Sequence, residues 1–285
     1  MFEPVRLLTP KDHPPKEHPM THPDLAIGAA PAAAPPLIPD LATITARQPI
    51  TPTPGAAAAD LHLVGQRLCT ALSLRPGQYV LDVAAGNGRV TLAARRWREV
   101  VSSTAGGSPV MFEDADPEAL PFADRTFDVV VSTFGMMFAP NQDQAAAELL
   151  RVCKRGGKIG LTNWTPEGFI GQLIRTIRQH VPPPPRAQSP SLWGVRARIE
   201  EIFGFEVASV RCESRTFNFC YRSPQHWLDV FKTHYGPVVN AFAALPAQRQ
   251  PALATDLLAL AERFNCADAT MVAPADYLEI VITTR

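Results

Sequence analysis

The sequence predicts a doubly wound α/β fold, and three observations point to it. Apolar runs of strand length recur along the chain, at Tyr79–Val83, Phe127–Thr133 and Lys158–Thr162. Stretches with apolar residues at helical spacing lie around them, as at Gln142–Val152. The first run leads directly into a turn carrying Gly86 and Gly88, followed by a helical pattern from Val90 to Trp97. Strands that are apolar throughout and alternate with helices belong to a parallel sheet covered on both faces.

With 285 residues the chain holds enough material for one large α/β domain, or a domain plus extensions. Hydrophobic residues make up 46% and charged residues 19%, the balance of a soluble globular protein. Lys+Arg and Asp+Glu each total 27, so no excess charge attracts nucleic acid or a membrane surface. A neutral, mostly apolar small molecule is compatible with that balance.

Residues 1–55 are dominated by Pro and Ala, as in Gly28–Pro36 and Thr51–Gly55. Proline at this density removes backbone donors and interrupts helices, so a disordered or extended tail is expected. His13, His18 and His22 in that tail read as solvated side chains rather than a metal site, because an isolated tract gives its ligands no supporting shell. Acid, base and proline occur early in Met1–Pro15, so neither a signal peptide nor a membrane span is expected. Cys69, Cys153, Cys212, Cys220 and Cys266 are odd in number and form no C-x-x-C pair. They are expected to be free thiols in a reducing cytoplasm, with no metal site.

The folded domain is expected over residues 56–285. Ala57–Leu74 reads as a helix ending before Pro76-Gly77, and Tyr79–Val83 as a buried strand. Val100-Val101 and Val110–Phe112 are candidate second and third strands, and Phe127–Thr133 is a strong one. Gln142–Val152 is an amphipathic helix, and Lys158–Thr162 a strand after a Gly156-Gly157 turn. A helix at Phe169–His180, a proline loop at Val181–Pro190 and a helix through Ile202 follow. Pro182–Pro185 reads as a stiff surface loop. Val207–Arg211 and Thr216–Tyr221 are strand-like, and Tyr277–Ile282 closes as a strand. Residues 215–265 read as a largely helical, cap-like insertion before that last strand.

The glycine turn is the most informative stretch. Glycines there let backbone approach a ligand closely, and the following helix start offers unpaired N–H groups to an anion. A dinucleotide fingerprint would want glycine where Thr91 stands, so G-x-G alone leaves the ligand undecided. Asp82, inside the strand and four residues before Gly86, favours another reading. Leu81-Asp-Val-Ala-Ala-Gly-Asn-Gly88 resembles motif I of class I S-adenosylmethionine (SAM)-dependent methyltransferases.

The resemblance continues downstream. Asp116–Phe122 followed by Ala123–Val131 is similar to the segment leading into strand four of ubiquinone/menaquinone-biosynthesis-like (type 11) methyltransferases. Leu149–Ile159 looks like their helix-to-strand-five turn, with Arg155 where proline is usual. Asn163-Trp-Thr-Pro-Glu-Gly168 fits a bacterial branch. Four ordered motifs cover residues 60–170, and the rest of the chain matches loosely.

The resemblance implies a Rossmann-like methyltransferase sheet, SAM as cofactor and a small-molecule methyl acceptor. It places Asp82, Ala84, Gly86 and Gly88 at the methionine end of SAM, Asp116 at the adenine, and Thr133 at the crevice edge. Asp116 reads equally well as a solvated loop acid. Phe134, Met136 and Met137 read as core more readily than as pocket wall. His180, His226 and His234 are available as bases but read as ordinary histidines.

Two departures stand out. The ribose-binding acid expected about 20 residues beyond the glycines is missing from Val100–Pro109. Only Ser102–Pro109 separates two candidate strands, whereas parallel strands need a crossover of a dozen or more residues. The sheet is therefore expected either to lack the second crossover helix or to have a strand displaced. Pro117 further removes a backbone N–H that the family can offer to adenine. The Ala/Pro/Gly-rich segments at 26–59 and 102–109 stand where the family has ordered sequence, as an internal deletion or frameshift would leave them.

Methyl transfer from a sulfonium is an in-line displacement, so such an enzyme mainly supplies proximity, and no universal catalytic residue follows. The alternative is a non-catalytic or degraded protein of the same fold that binds SAM weakly. A nicotinamide oxidoreductase is disfavoured by Thr91 and the missing acid.

Overall fold

The computed structural model describes residues 56–75, 78–83, 115–185 and 187–285. The expected tail, the glycine turn with its helix, the two candidate strands near 100 and 110, and the link at 102–109 lie outside the described residues. So does the question of the second crossover helix.

The elements run α1 (Ala56–Leu72), β1 (Val80–Asp82), β2 (Phe127–Thr133), α2 (Gln142–Val152), β3 (Cys153–Trp164) and α3 (Phe169–His180). Then come α4 (Arg196–Phe203), β4 (Val207–Tyr221), α5 (Pro224–His234), α6 (Gly236–Ala244), α7 (Gln250–Phe264) and β5 (Met271–Thr284). The described strands form one sheet in the order β1-β2-β3-β5-β4. β1, β2 and β3 are mutually parallel. β5 runs antiparallel to both β3 and β4. The α/β class of the sequence reading is the observed one, but the sheet is mixed rather than all parallel, because β5 alone is reversed.

Local chemistry explains most boundaries. Asn141 caps α2, its side chain accepting from the Gln144 N–H at 3.2 Å. Ser223 caps α5 with Pro224 at the first helical position. Phe127 and the run Val129–Ser132 of β2 are buried, so successive residues are covered on both faces of the sheet. α1 lies on one face, with Leu68, Cys69 and Leu72 packed on Val129, Val131 and Val281. Lys158 Nζ donates to the Leu72 carbonyl at 2.7 Å and ties the end of α1 to β3. The larger core fills the other face, takes in Val64 of α1 with Trp164 and Tyr277 at the strand ends, and continues into the C-terminal helices.

The structure refines four of these expectations. The two strand-like pieces at 207–211 and 216–221 are one strand, β4. The Gly156-Gly157 turn lies within β3, where Phe127 pairs with Cys153 but Val129 with Lys158, so the chain bulges between the two pairs. Gly156 takes φ 69°, and a Cβ on Gly157 would lie 2.7 Å from the Lys154 carbonyl oxygen, so both glycines are required there. Within the expected 215–265 insertion, residues 215–221 complete β4 and the helices begin at Pro224. Residues 56–59 are helical, so the anomalous stretch at 26–59 ends inside α1.

The register places that insertion. Trp164, the last residue of β3, pairs with Tyr277. The pairs from Thr216↔Asp276 to Tyr221↔Met271 continue β4 and β5 past it as a two-stranded ribbon. α5 packs on this ribbon through Phe231 against Phe219, centroids 5.7 Å apart. The inserted helices therefore stand beyond the carboxyl end of β3.

Candidate active site

Parallel strands bring their carboxyl ends to one edge of a sheet, where ligands of open α/β folds collect. Here that edge is formed by Asp82-Val83 after β1, Thr133-Phe134 after β2 and Trp164 at the end of β3. The Val83 N–H donates to the Val131 carbonyl at 2.8 Å, and Phe134 N–H to the Thr162 carbonyl at 2.9 Å, fixing the three ends together.

Asp82 pairs with Val131, so its side chain shares a face with Val131 and Thr133. That face is covered by α1, and the electrostatics agree. Burial, and secondly the nearby Asp82 carboxylate, push the Cys69 thiol of α1 up to about 12. The Thr133 hydroxyl oxygen is buried and has no partner among the described residues. The structure thus brings Asp82 and Thr133 together.

Asp116 is elsewhere. It is exposed on a turn, where Oδ1 accepts from the Glu118 N–H at 2.9 Å and its backbone bridges to Ala119. Since Pro117 has no N–H, Glu118 supplies the first donor of this Asx turn. Glu118 in turn accepts from the Asn141 N–H at 2.6 Å, docking the turn on the start of α2. Ala84, Gly86 and Gly88 lie outside the described residues.

Phe134 has φ 59°, an uncommon conformation for a bulky residue, immediately after Thr133. It is held there by stacking on Trp164, centroids 3.8 Å apart and planes 3° from parallel. Phe134, Met136 and Met137 are all buried in the core, as read from the sequence. Asn163 is fully buried on the opposite face from Trp164, its amide unpartnered among the described residues.

Two of the three candidate histidines have local partners. His180 Nε2 meets Asp256 Oδ2 at 2.7 Å and joins α3 to α7. His226 Nδ1 accepts from the Arg222 N–H, and His234 is exposed at the end of α5. No group of three or more His, Cys, Asp or Glu among the described residues could hold a metal ion. No described helix is long and apolar enough to cross a membrane.

Sequence reasoning passed over the polar residues that continue the α1 face across the sheet. Thr133 pairs with Thr162, Thr162 with Glu279, and Glu279 with Glu213. Glu279 is only 2% exposed. Its Oε1 accepts from Arg215 at 3.3 Å, while the buried Oε2, like the Thr162 hydroxyl, has no partner among the described residues. Next to it, burial raises the Tyr277 phenol, countered by a hydrogen bond from Arg67 of α1. The available signal was an acid inside an apolar run, Tyr277-Leu-Glu-Ile-Val-Ile282, the same signal that singled out Asp82.

Comparison with known proteins places this edge in context. Residues 81–161 match a family model described as a methyltransferase domain. An uncharacterised protein of Mycobacterium tuberculosis is 38% identical over 199 residues, covering 64% of this chain and 73% of that protein. The ubiquinone/menaquinone biosynthesis C-methyltransferase UbiE of Ectopseudomonas mendocina is 33% identical over 131 residues, covering 38% of this chain and 50% of the enzyme. Among solved structures, the YcgJ protein of Bacillus subtilis superposes with a TM-score of 0.50 at 18% identity, covering 79% of this chain and 99% of that one.

Proposed function

We propose, on the premise that this chain belongs to the class I SAM-dependent methyltransferase family, that it transfers the SAM methyl group to a small-molecule acceptor. The observation that carries the reading is the juxtaposition of Asp82 and Thr133. They stand on adjacent parallel strand ends, share a face, and flank the point where the chain enters the glycine turn. The residues present suit the cofactor. The half-buried Asp82 carboxylate would accept from the ammonium of the methionine end, and the unpartnered Thr133 oxygen would offer a further polar contact. Ala84, Gly86 and Gly88 would complete that cradle, and Asp116 would reach adenine with the oxygen that its own turn does not use.

SAM supplies an activated methyl group on a sulfonium. The chain's contribution is alignment and water exclusion: Phe134 and Trp164 close the edge with apolar surface, and the β4–β5 ribbon with α5–α7 stands over the strand ends. The acceptor enters beneath that ribbon. Neutral overall charge suits a small molecule and gives no bulk attraction for nucleic acid.

Calorimetric titration with S-adenosylhomocysteine tests the reading. Micromolar binding is expected, weakened about ten- to a hundred-fold in Asp82→Ala, the loss of one charge-assisted contact, and abolished in Gly86→Val. Absence of binding at millimolar ligand would instead establish a non-catalytic remnant, in keeping with the missing ribose acid in Val100–Pro109.

A further inference from the structure

We infer that Glu279 and Thr162 form the acceptor subsite, and that the acceptor presents a hydrogen-bond donor, a hydroxyl or an amine, on an apolar body. This rests on the methyltransferase reading above and names the substrate class for it.

Directly paired residues in neighbouring strands share a face of the sheet. Thr133, Thr162 and Glu279 therefore form one row across β2, β3 and β5 on the face that α1 covers. Each carries a buried side-chain oxygen without a partner among the described residues. Strands lie about 4.8 Å apart, so Glu279 is roughly 10 Å from Thr133, a span suited to a cofactor end and an adjoining small molecule. The row ends beside Arg67 of α1 and Tyr277 of β5.

The flanking rows are apolar. One pleat towards the amino end lie Val131, Gly160 and Val281, with Leu72 seated on Gly160, where an added Cβ would come within 2.5 Å of Leu72 Cδ1. One pleat towards the carboxyl end lie Trp164 and Tyr277. A polar row between an apolar row and an aromatic row fits a ligand with an apolar body and a polar head.

The chemistry of the oxygens sets the sign of that head. A carboxylate oxygen accepts and cannot donate, and Arg215 occupies only Oε1. Leaving a buried charged group half satisfied is costly, so Oε2 favours a ligand that brings a donor. Thr162, able to donate and accept, can share the same group. Where the acceptor atom is itself that hydroxyl or amine, its lone pair forms the new bond to carbon, the C–S bond electrons return to sulfur, and the proton leaves towards Glu279.

The test uses the full chain saturated with S-adenosylhomocysteine. Catechol and 2-phenylethylamine serve as donor probes, and their fully methylated counterparts as controls. Calorimetry is expected to show that donor probes bind at least tenfold tighter than controls, and that Glu279→Gln erases this preference. S-adenosylhomocysteine affinity should stay within twofold in the variant. Thr162→Val, nearly isosteric, should weaken donor probes three- to tenfold without lowering the melting temperature. Equal binding of donor and control probes, or unchanged donor binding in Glu279→Gln, overturns the subsite while the methyltransferase reading stands. A parallel loss of S-adenosylhomocysteine in Glu279→Gln also overturns it, by assigning the residue to the cofactor or the fold. If the unaltered chain fails to bind S-adenosylhomocysteine, the methyltransferase reading falls and the subsite with it.

Discussion

Arg151 grips Glu148 through two parallel hydrogen bonds, Nε to Oε1 and Nη2 to Oε2, each 2.7 Å long, one turn apart on α2. The same guanidinium donates to the carbonyls of Leu120 and Phe122 and to Asp124, while Glu148 accepts from the Leu120 N–H at 2.7 Å. One residue pair thus pins the loop that leads into β2, and with it the strand end bearing Thr133. Arg151→Met would strand the nearly buried Glu148 carboxylate. A loss of about 3 kcal/mol is expected, or a melting temperature lower by roughly 6–12 °C, measured by calorimetry.

The pair also predicts acid sensitivity. The Arg151 hydrogen bond holds Glu148 below its ordinary value of 4.5, against the opposing effect of burial. A depressed carboxylate contributes its full stability above the unfolded value and loses it as pH falls through the folded one. Urea midpoints should therefore fall more steeply below about pH 4.5 in the unaltered protein than in Glu148→Gln. Equal slopes would exclude Glu148 as a source of acid lability.

Gly194 packs directly on the backbone of the site edge. A Cβ there would lie 2.2 Å from the Trp164 carbonyl oxygen and 2.8 Å from the Thr165 Cα. Neither is the end of a flexible side chain, so Gly194→Ala must shift β3 or the turn that carries Gly194. A stability loss of about 2–3 kcal/mol is expected. Near-ultraviolet circular dichroism should change as well, since Trp164 and its stacked partner Phe134 report the displacement.

Thiol reactivity should divide the cysteines. Cys220 and Cys266 are exposed, and Cys69, Cys153 and Cys212 are buried. Burial pushes Cys69 up to about 12 and Cys153 to about 11, so neither forms thiolate at neutral pH. Iodoacetamide at pH 8 is expected to alkylate Cys220 and Cys266 within the native protein and spare the other three until it unfolds, as peptide mass spectrometry would read. Early labelling of Cys69 would mean that α1 does not cover Asp82.

Much of the architecture is legible in the sequence because its signals are local. Phe127–Thr133 is a strand because Val129–Val131 form a β-branched apolar centre, and α2 runs over Gln142–Val152 because Asn141 caps it and its apolar residues recur at helical spacing. Asp82 stands out because an acid inside an apolar run of strand length needs a reason. β4 was less legible. Its polar middle, Cys212–Arg215, reads as a break, yet hydrogen bonding to β5 along its whole length makes one strand of it.

The sequence by itself determined the alternation of strands and helices, the acid before the glycine turn, and the methyltransferase motifs, all of which lie within stretches of about a dozen residues. Tertiary structure alone decided the reversed direction of β5, the ribbon that carries α5–α7 past β3, and the row that sets Thr133 and Thr162 beside Glu279. Periodicity along a chain reports which face a residue takes within its own strand. Which distant residue it meets depends on register between strands more than a hundred positions apart, and that is fixed by the packing of the whole sheet.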